Sequence, residues 1–185
     1  MKKQKRTPWA LGAVLILAGG VAAKGEDLTV YLQNTATAEF MTLVAAKGVT
    51  AKIFRGIGVR IHWELGGPAK TGGAGIVIQF DSNAPSRFRP DAFAYATPFD
   101  YTRTCIHIFY DRVLGSVPRK LAPELLGHVM AHEIGHLLER TDGHSETGVM
   151  KAHWTTGDYD LMSMGPLSFT AGDVSAIRGY WSGSR

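Results

Sequence analysis

The chain has 185 residues, of which 45% are hydrophobic and 19% are charged. The length is that of one ordinary domain, and the composition supplies enough apolar side chains for a packed soluble core, which excludes a disordered or fibrous protein. The formal net charge is +4, from 20 basic and 16 acidic residues. The only cysteine, Cys105, lies in an apolar run, so we expect an inert buried thiol and no intramolecular disulfide.

The first 23 residues have the layout of a secretory signal peptide. Four basic residues between positions 2 and 6 precede an apolar run at 10–18, and Val21-Ala22-Ala23 offers small residues for cleavage. We therefore predict one mature domain, residues 24–185, that is secreted or periplasmic; an uncleaved anchor is the alternative. Removing the four basic residues leaves 16 basic and 16 acidic side chains, so charge gives no reason to expect nucleic-acid binding. The mature protein is expected to be a monomer that does not bind membranes.

The first half of the mature chain is rich in strand patterns. Residues 28–33, 59–65 and 76–80 are rich in β-branched and aromatic side chains and predict strands, and residues 104–110 (TCIHIFY) predict a buried strand. A helix is expected from Thr35 or Thr37 to about residue 54; Gly48 weakens it and could split it in two. Residues 92–96 could form a short edge strand.

The second half is predicted to be helical. Ala122-Pro123-Glu124 opens a long helix to about Glu139, with proline in the first turn and an acidic residue near the positive helix end. An irregular segment is expected from 140 to about 166, and Thr170 with Asp173 begins a last helix that ends near residue 180. This order predicts an α+β domain built around one mixed sheet.

The long helix contains the sequence His132-Glu133-Ile134-Gly135-His136, an H-E-x-x-H pattern. Residues four apart lie about 40° apart around a helix, so both imidazoles project from one face and can bind one Zn²⁺. Glu133, beside them, can hold a metal-activated water and accept its proton. Gly135 costs about 1 kcal/mol relative to alanine in a helix, which suggests close approach by another backbone.

A zinc site of this kind needs a third protein ligand. His144 follows Asp142-Gly143, where glycine lets the chain reverse, and Glu146 comes two residues later. His144, Asp142 and Glu146 are therefore the candidates. His128 precedes His132 by one turn, and we expect it to support the site rather than bind metal.

Residues 132–150 resemble the metzincin zinc endopeptidases, most closely the matrixin-like ones, with H-E-x-x-H-x-x-G-x-x-H (or Asp last) followed by a methionine turn. His144-Ser145, followed by Gly148-Val149-Met150, is similar to the third histidine and that turn. The resemblance implies a metzincin-like zincin fold, with a long active-site helix and a C-terminal helix. It also implies Met150 as a floor beneath the imidazoles and substrate laid along an edge strand, here residues 92–96.

The sequence departs from the metzincin pattern at two places. Glu139 stands where the superfamily has glycine, and His144 is twelve residues after His132 rather than ten, the place that Asp142 occupies. Either the turn is longer and His144 binds zinc, or Asp142 does; we favour His144 because imidazole is an excellent zinc ligand. Glu146 is the weakest candidate.

The sequence thus predicts a zinc endopeptidase acting on peptides or proteins. His132, His136 and His144 would hold Zn²⁺, and Glu133 would serve as general base. The alternative is a zinc-binding or peptide-binding domain without catalysis. His153 and Trp154 could line the substrate pocket or support the methionine turn, and Tyr159 could bind an oxyanion.

Overall fold

In this computed structural model of the protein, the described residues are 25–67, 75–86, 88–89, 92–96 and 105–182. The strands are β1 (Glu26–Gln33), β2 (Val59–Leu65), β3 (Ile76–Asp81), β4 (Ala94–Ala96) and β5 (Cys105–Phe109). The helices are α1 (Phe40–Arg55), α2 (Tyr110–Ser116), α3 (Ala122–Glu139), α4 (Thr156–Met164) and α5 (Ala171–Ser182). The predicted signal peptide, residues 1–23, lies outside the described residues. None of the helices described is long and apolar enough to cross a bilayer.

The five strands form one mixed sheet in the order β2-β1-β3-β5-β4. β1, β2, β3 and β5 are parallel, whereas β4 runs antiparallel to β5, with Tyr95 opposite His107. Because β4 is last in the order, one of its edges has no neighbouring strand in the described ranges. The predicted fold class, an α+β domain around a mixed sheet, is confirmed, and residues 94–96 form the expected edge strand.

Helices α1 and α3 cover the apolar face of the sheet. Alternate strand residues such as Val30, Ile78 and Ile106 are fully buried beneath them, as the period of two in a strand requires. Each such side chain contributes about 1.5–3 kcal/mol through burial. α3 is buried around most of its circumference, which is typical of a helix that crosses a core.

The two helices meet closely at Gly127 of α3. A Cβ there would lie 2.8 Å from the carbonyl oxygen of Ala46 in α1. The hydroxyl of Thr50, also in α1, lies 2.9 Å from the Gly127 carbonyl oxygen. These contacts fix α3, and therefore the H-E-x-x-H sequence, against α1 and the sheet.

Three local predictions differ from the structure. The first helix begins at Phe40 after a 3₁₀ turn (Thr35–Thr37) and runs unbroken through Gly48. The predicted strand 104–110 ends at Phe109, because the chain enters α2 at Tyr110 without an intervening turn. The segment 140–166 is not wholly irregular, since it contains α4.

A capping box begins α4. The Asp158 carboxylate accepts hydrogen bonds from the Thr155 backbone N–H (2.6 Å) and hydroxyl (2.8 Å). Such a box satisfies backbone donors that a helix start leaves unpaired, and this stabilises a helix that buries only Met162.

Candidate metal centre

His132 and His136 lie one turn apart on α3, and each ring is held by a backbone carbonyl. The Nδ1–H of His132 donates to the Val149 carbonyl oxygen at 2.9 Å, and that of His136 donates to Thr141 at 3.0 Å. These bonds select the tautomer in which Nε2 carries a lone pair. The two Nε2 atoms face each other at 2.9 Å.

This arrangement fits a metal ion. Two neutral rings that both use Nδ1–H elsewhere have no hydrogen to share between their Nε2 atoms, so the two lone pairs repel unless a cation lies beside them. Burial, together with the neighbouring ring of His136, lowers the pKa of His132 to about 3. Both rings are therefore available as neutral ligands.

His144 completes a group of three imidazoles. Its ring centroid lies 4.8 Å from that of His136 and 5.3 Å from that of His132, and one nitrogen of each ring lies within 4.8 Å of the others. In the described part of the chain, neither Asp142 nor Glu146 belongs to this group. The two additional residues between His132 and His144 therefore do not prevent His144 from lying beside His132 and His136.

The loop between His136 and His144 accommodates the two extra residues by reversing directly after α3. The helix ends at Glu139, and Arg140 adopts a left-handed conformation with φ 56°. The next residue, Thr141, supplies the carbonyl that holds His136. The reversal that the superfamily pattern assigns to glycine thus takes place one residue after Glu139, at a residue that is not glycine.

Glu133 projects into the same cleft as the imidazoles. It is 9% exposed, and burial raises its pKa to about 7. The carboxyl is therefore largely shielded from solvent and lines the same cleft as the three rings. This is the position expected for a group that exchanges protons with a bound water.

The predicted methionine turn packs against α3 at the two helix histidines. Gly148 has φ 77°, a conformation that favours glycine. Met150 is 1% exposed, and its Sδ would lie 2.5 Å from a Cβ on Gly135. The close approach predicted at Gly135 is present, but the neighbour is a side chain rather than a backbone. Met150 therefore packs against α3 at Gly135, and its role as a floor beneath the rings stays a prediction.

Asp173 anchors the loop that carries His144, a role that the sequence did not predict. This buried carboxylate on α5 accepts a hydrogen bond from the Ser145 hydroxyl at 2.5 Å and from the Thr170 backbone N–H at 2.7 Å. Ser145 also donates its N–H to the Met150 carbonyl oxygen at 2.9 Å. The sequence signal was present only as the capping pattern at the start of α5.

His128 and Trp154 support the centre from α3 and from the turn. His128 is fully buried. Its Nδ1–H donates to the backbone carbonyl oxygen of Glu124 at 2.6 Å, and its Nε2 accepts a hydrogen bond from the Leu167 N–H at 2.9 Å. It is not part of the three-imidazole group. The Trp154 indole packs edge-on against His132 with ring centroids 5.6 Å apart, and it also lines the cleft.

The centre opens into a cleft of about 740 Å³. The cleft is lined by strand β4 and the loop before it, by α3, and by residues 141, 142, 144, 151–154 and 159. His153 also lines this cleft. The two histidines on strands lie outside the cleft lining and the imidazole group: His62 pairs with Asp27 at 3.0 Å and His107 with Asp81 at 2.8 Å.

No protein-family model and no curated protein matches the sequence. Solved structures do match the fold. One is archaemetzincin from Methanopyrus kandleri, with a TM-score of 0.55 and 14% sequence identity, covering 87% of this chain and 98% of that one. At this identity the likeness concerns the fold alone, and the narrower resemblance to matrixins stays a prediction. The chain therefore has a zincin-like fold, similar to that of a metzincin.

Proposed function

We propose that the protein is a zinc-dependent endopeptidase that acts outside the cytoplasm, with His132, His136 and His144 as zinc ligands and Glu133 as general base. The observation that carries this proposal is the convergence of three imidazoles beside a buried carboxylate in an open cleft. A structural zinc site is normally closed by four protein ligands, whereas a catalytic one has three and an open position. The likeness in fold to archaemetzincin is consistent with this reading.

Each residue of the site has a separate role in the proposed hydrolysis of the peptide bond. A zinc ion bound there would polarise the scissile carbonyl and lower the pKa of a water. Glu133 accepts a proton from the attacking water as its oxygen adds to the carbonyl carbon. It delivers that proton to the leaving nitrogen as the C–N bond breaks. The carbonyls of Val149 and Thr141 keep Nε2 of the two helix histidines unprotonated.

The free edge of β4 is the proposed binding place for the substrate backbone. Ala94–Ala96 line the same cleft as Trp154 and Tyr159. An extended peptide can add to such an edge through main-chain hydrogen bonds, which require no particular side chain. This supports action on peptides or unfolded protein segments, consistent with the alanines at both ends of the strand.

Metal analysis combined with peptide cleavage tests the proposal. We expect the purified protein to bind one zinc per chain and to cleave internally quenched peptides, with activity lost on chelation and restored by zinc. Glu133→Gln should keep its zinc and lose activity by a factor of about 10² or more. Glu146→Gln is the matched control, because Glu146 is exposed and lies outside both the imidazole group and the cleft lining.

The same measurements separate the alternative, a zinc-binding domain without catalysis. Stoichiometric zinc with no hydrolysis of any peptide by the wild-type protein would support that alternative. Wild-type activity in Glu133→Gln, or in the metal-free protein, would contradict the proposed mechanism.

A further inference from the structure

Asp142 is an acidic residue of the cleft that the proposed function leaves without a role. It lies in the loop between His136 and His144 and lines the same cleft. It does not belong to the group of three imidazoles. Its side chain is exposed, and among the described residues no lysine or arginine forms an ion pair with it.

Asp142 directly follows Thr141, whose carbonyl oxygen accepts the hydrogen bond from His136, and it lines the cleft together with His136 and His144. Burial lowers the pKa of His136 and of His144, and the negative charge of Asp142 acts in the opposite direction on both rings. Asp142 follows the C-terminal end of α3 by three residues. Its charge therefore lies where α3 ends, beside the ring of His144.

The lysine, the arginine and the other carboxylate that line the cleft lie on other elements. Glu133 is buried and serves as the proposed base. Lys151 forms an ion pair with Asp158 at 2.6 Å. Arg89 lines the cleft from the loop before β4, where its carbonyl oxygen accepts a hydrogen bond from the guanidinium of Arg112 on α2. Asp142 is thus an exposed anion of the cleft with which, in the described ranges, no lysine or arginine forms an ion pair.

We propose that Asp142 selects peptides with a lysine or arginine next to the scissile bond, on the side of the centre where α3 ends. This inference rests on the proposed function and names the substrate class for that site. An exposed ion pair at a cleft rim adds a modest preference, about two- to fivefold in kcat/KM. Salt screens such a pair, so the preference decreases as ionic strength increases.

The test uses the full zinc-loaded protein and quenched peptides that differ at one position. Lysine, glutamine or glutamate is placed in turn at each of the two residues on either side of the scissile bond. For the wild type we expect lysine to exceed glutamate in kcat/KM by about fivefold at one of these positions, and less in 1 M salt. Asp142→Asn should remove this ratio, and Asp142→Lys should invert it. Asp160→Asn, which removes an exposed charge outside the cleft lining, should leave the ratio unchanged.

Zinc content is measured in every variant, because loss of zinc from Asp142→Asn would make that carboxylate a metal ligand and overturn the inference. Equal rates for all peptides with the wild type, or a lysine preference that persists in Asp142→Asn, would also overturn it. Absence of hydrolysis of every peptide by the zinc-loaded wild type would refute the proposed function and this inference with it.

Discussion

Replacement of Gly148 by alanine tests whether the methionine turn holds the metal centre. Gly148 has φ 77°, and an added Cβ would overlap the carbonyl oxygen of Ser168. That oxygen is backbone and already accepts the Val149 N–H at 3.0 Å, so it cannot move away without breaking this bond. The Val149 carbonyl in turn holds Nδ1 of His132.

The cost of Gly148→Ala is the sum of two effects. A non-glycine residue in the left-handed region loses about 1–2 kcal/mol, and forcing a methyl group into filled space costs about 1–3 kcal/mol. We therefore expect the free energy of unfolding to fall by about 2–5 kcal/mol. Zinc affinity should fall about tenfold or more, because the carbonyl that orients His132 is displaced.

The assay is urea unfolding in the presence of a chelator, with zinc affinity measured separately by competition with a chromophoric chelator. Gly48→Ala is the matched control: a Cβ there meets nothing within 4 Å, and the residue lies inside α1. This control should increase stability by about 0.5–1 kcal/mol. If Gly148→Ala matched the wild type in both stability and zinc affinity, the turn would not be what positions His132.

The remaining predictions concern single side chains around the centre. His144→Ala should no longer bind one zinc per chain, measured by plasma mass spectrometry. If this variant retained its zinc, a residue other than His144 would be the third ligand. His128→Ala should lower the unfolding free energy by about 3–5 kcal/mol, because it leaves a cavity and two backbone groups without partners, yet keep its zinc; loss of zinc would make His128 part of the metal set. Glu139→Gln should stabilise the protein by about 1 kcal/mol at pH 8 and have no effect at pH 4. Burial, and then the charge of Asp173, raises the pKa of Glu139 from 4.5 to about 7, so its ionisation destabilises the folded state as pH increases through this range. Equal effects at both pH values in urea titrations would contradict this reading.

Helix α3, which carries the H-E-x-x-H sequence, was the most predictable element of the fold. Its observed bounds, Ala122–Glu139, are those that the sequence predicted. Proline in the first turn and an unbroken series of apolar residues are local signals, and they agree with the buried environment. The same locality explains why the neighbouring positions of His132, Glu133 and His136 could be derived from helical spacing alone.

Helices α2 and α4 were not predicted from the sequence, because the sequence marks the start of each helix only weakly. α2 continues the apolar run of β5 directly, and no side chain caps its start. The box of Thr155 and Asp158 was visible in the sequence, but Gly157 lowers the helix propensity of the segment that follows. Local sequence signals also could not give the order of the strands in the sheet, because that order depends on pairing between strands distant in sequence. The position of β4 beside the cleft follows from that order and was therefore not predictable either.

Residue spacing in the sequence could not decide whether His144, Asp142 or Glu146 is the third candidate ligand. Spacing fixes side chains on a helix, but after Glu139 the path depends on the left-handed Arg140 and on contacts that are distant in sequence. The bond from Ser145 to Asp173 joins residues 28 positions apart. Such a contact forms only when α5 has docked, so the third imidazole is positioned by the tertiary fold. The pair on α3 can therefore form with the helix, whereas the complete donor group requires the C-terminal helix in place.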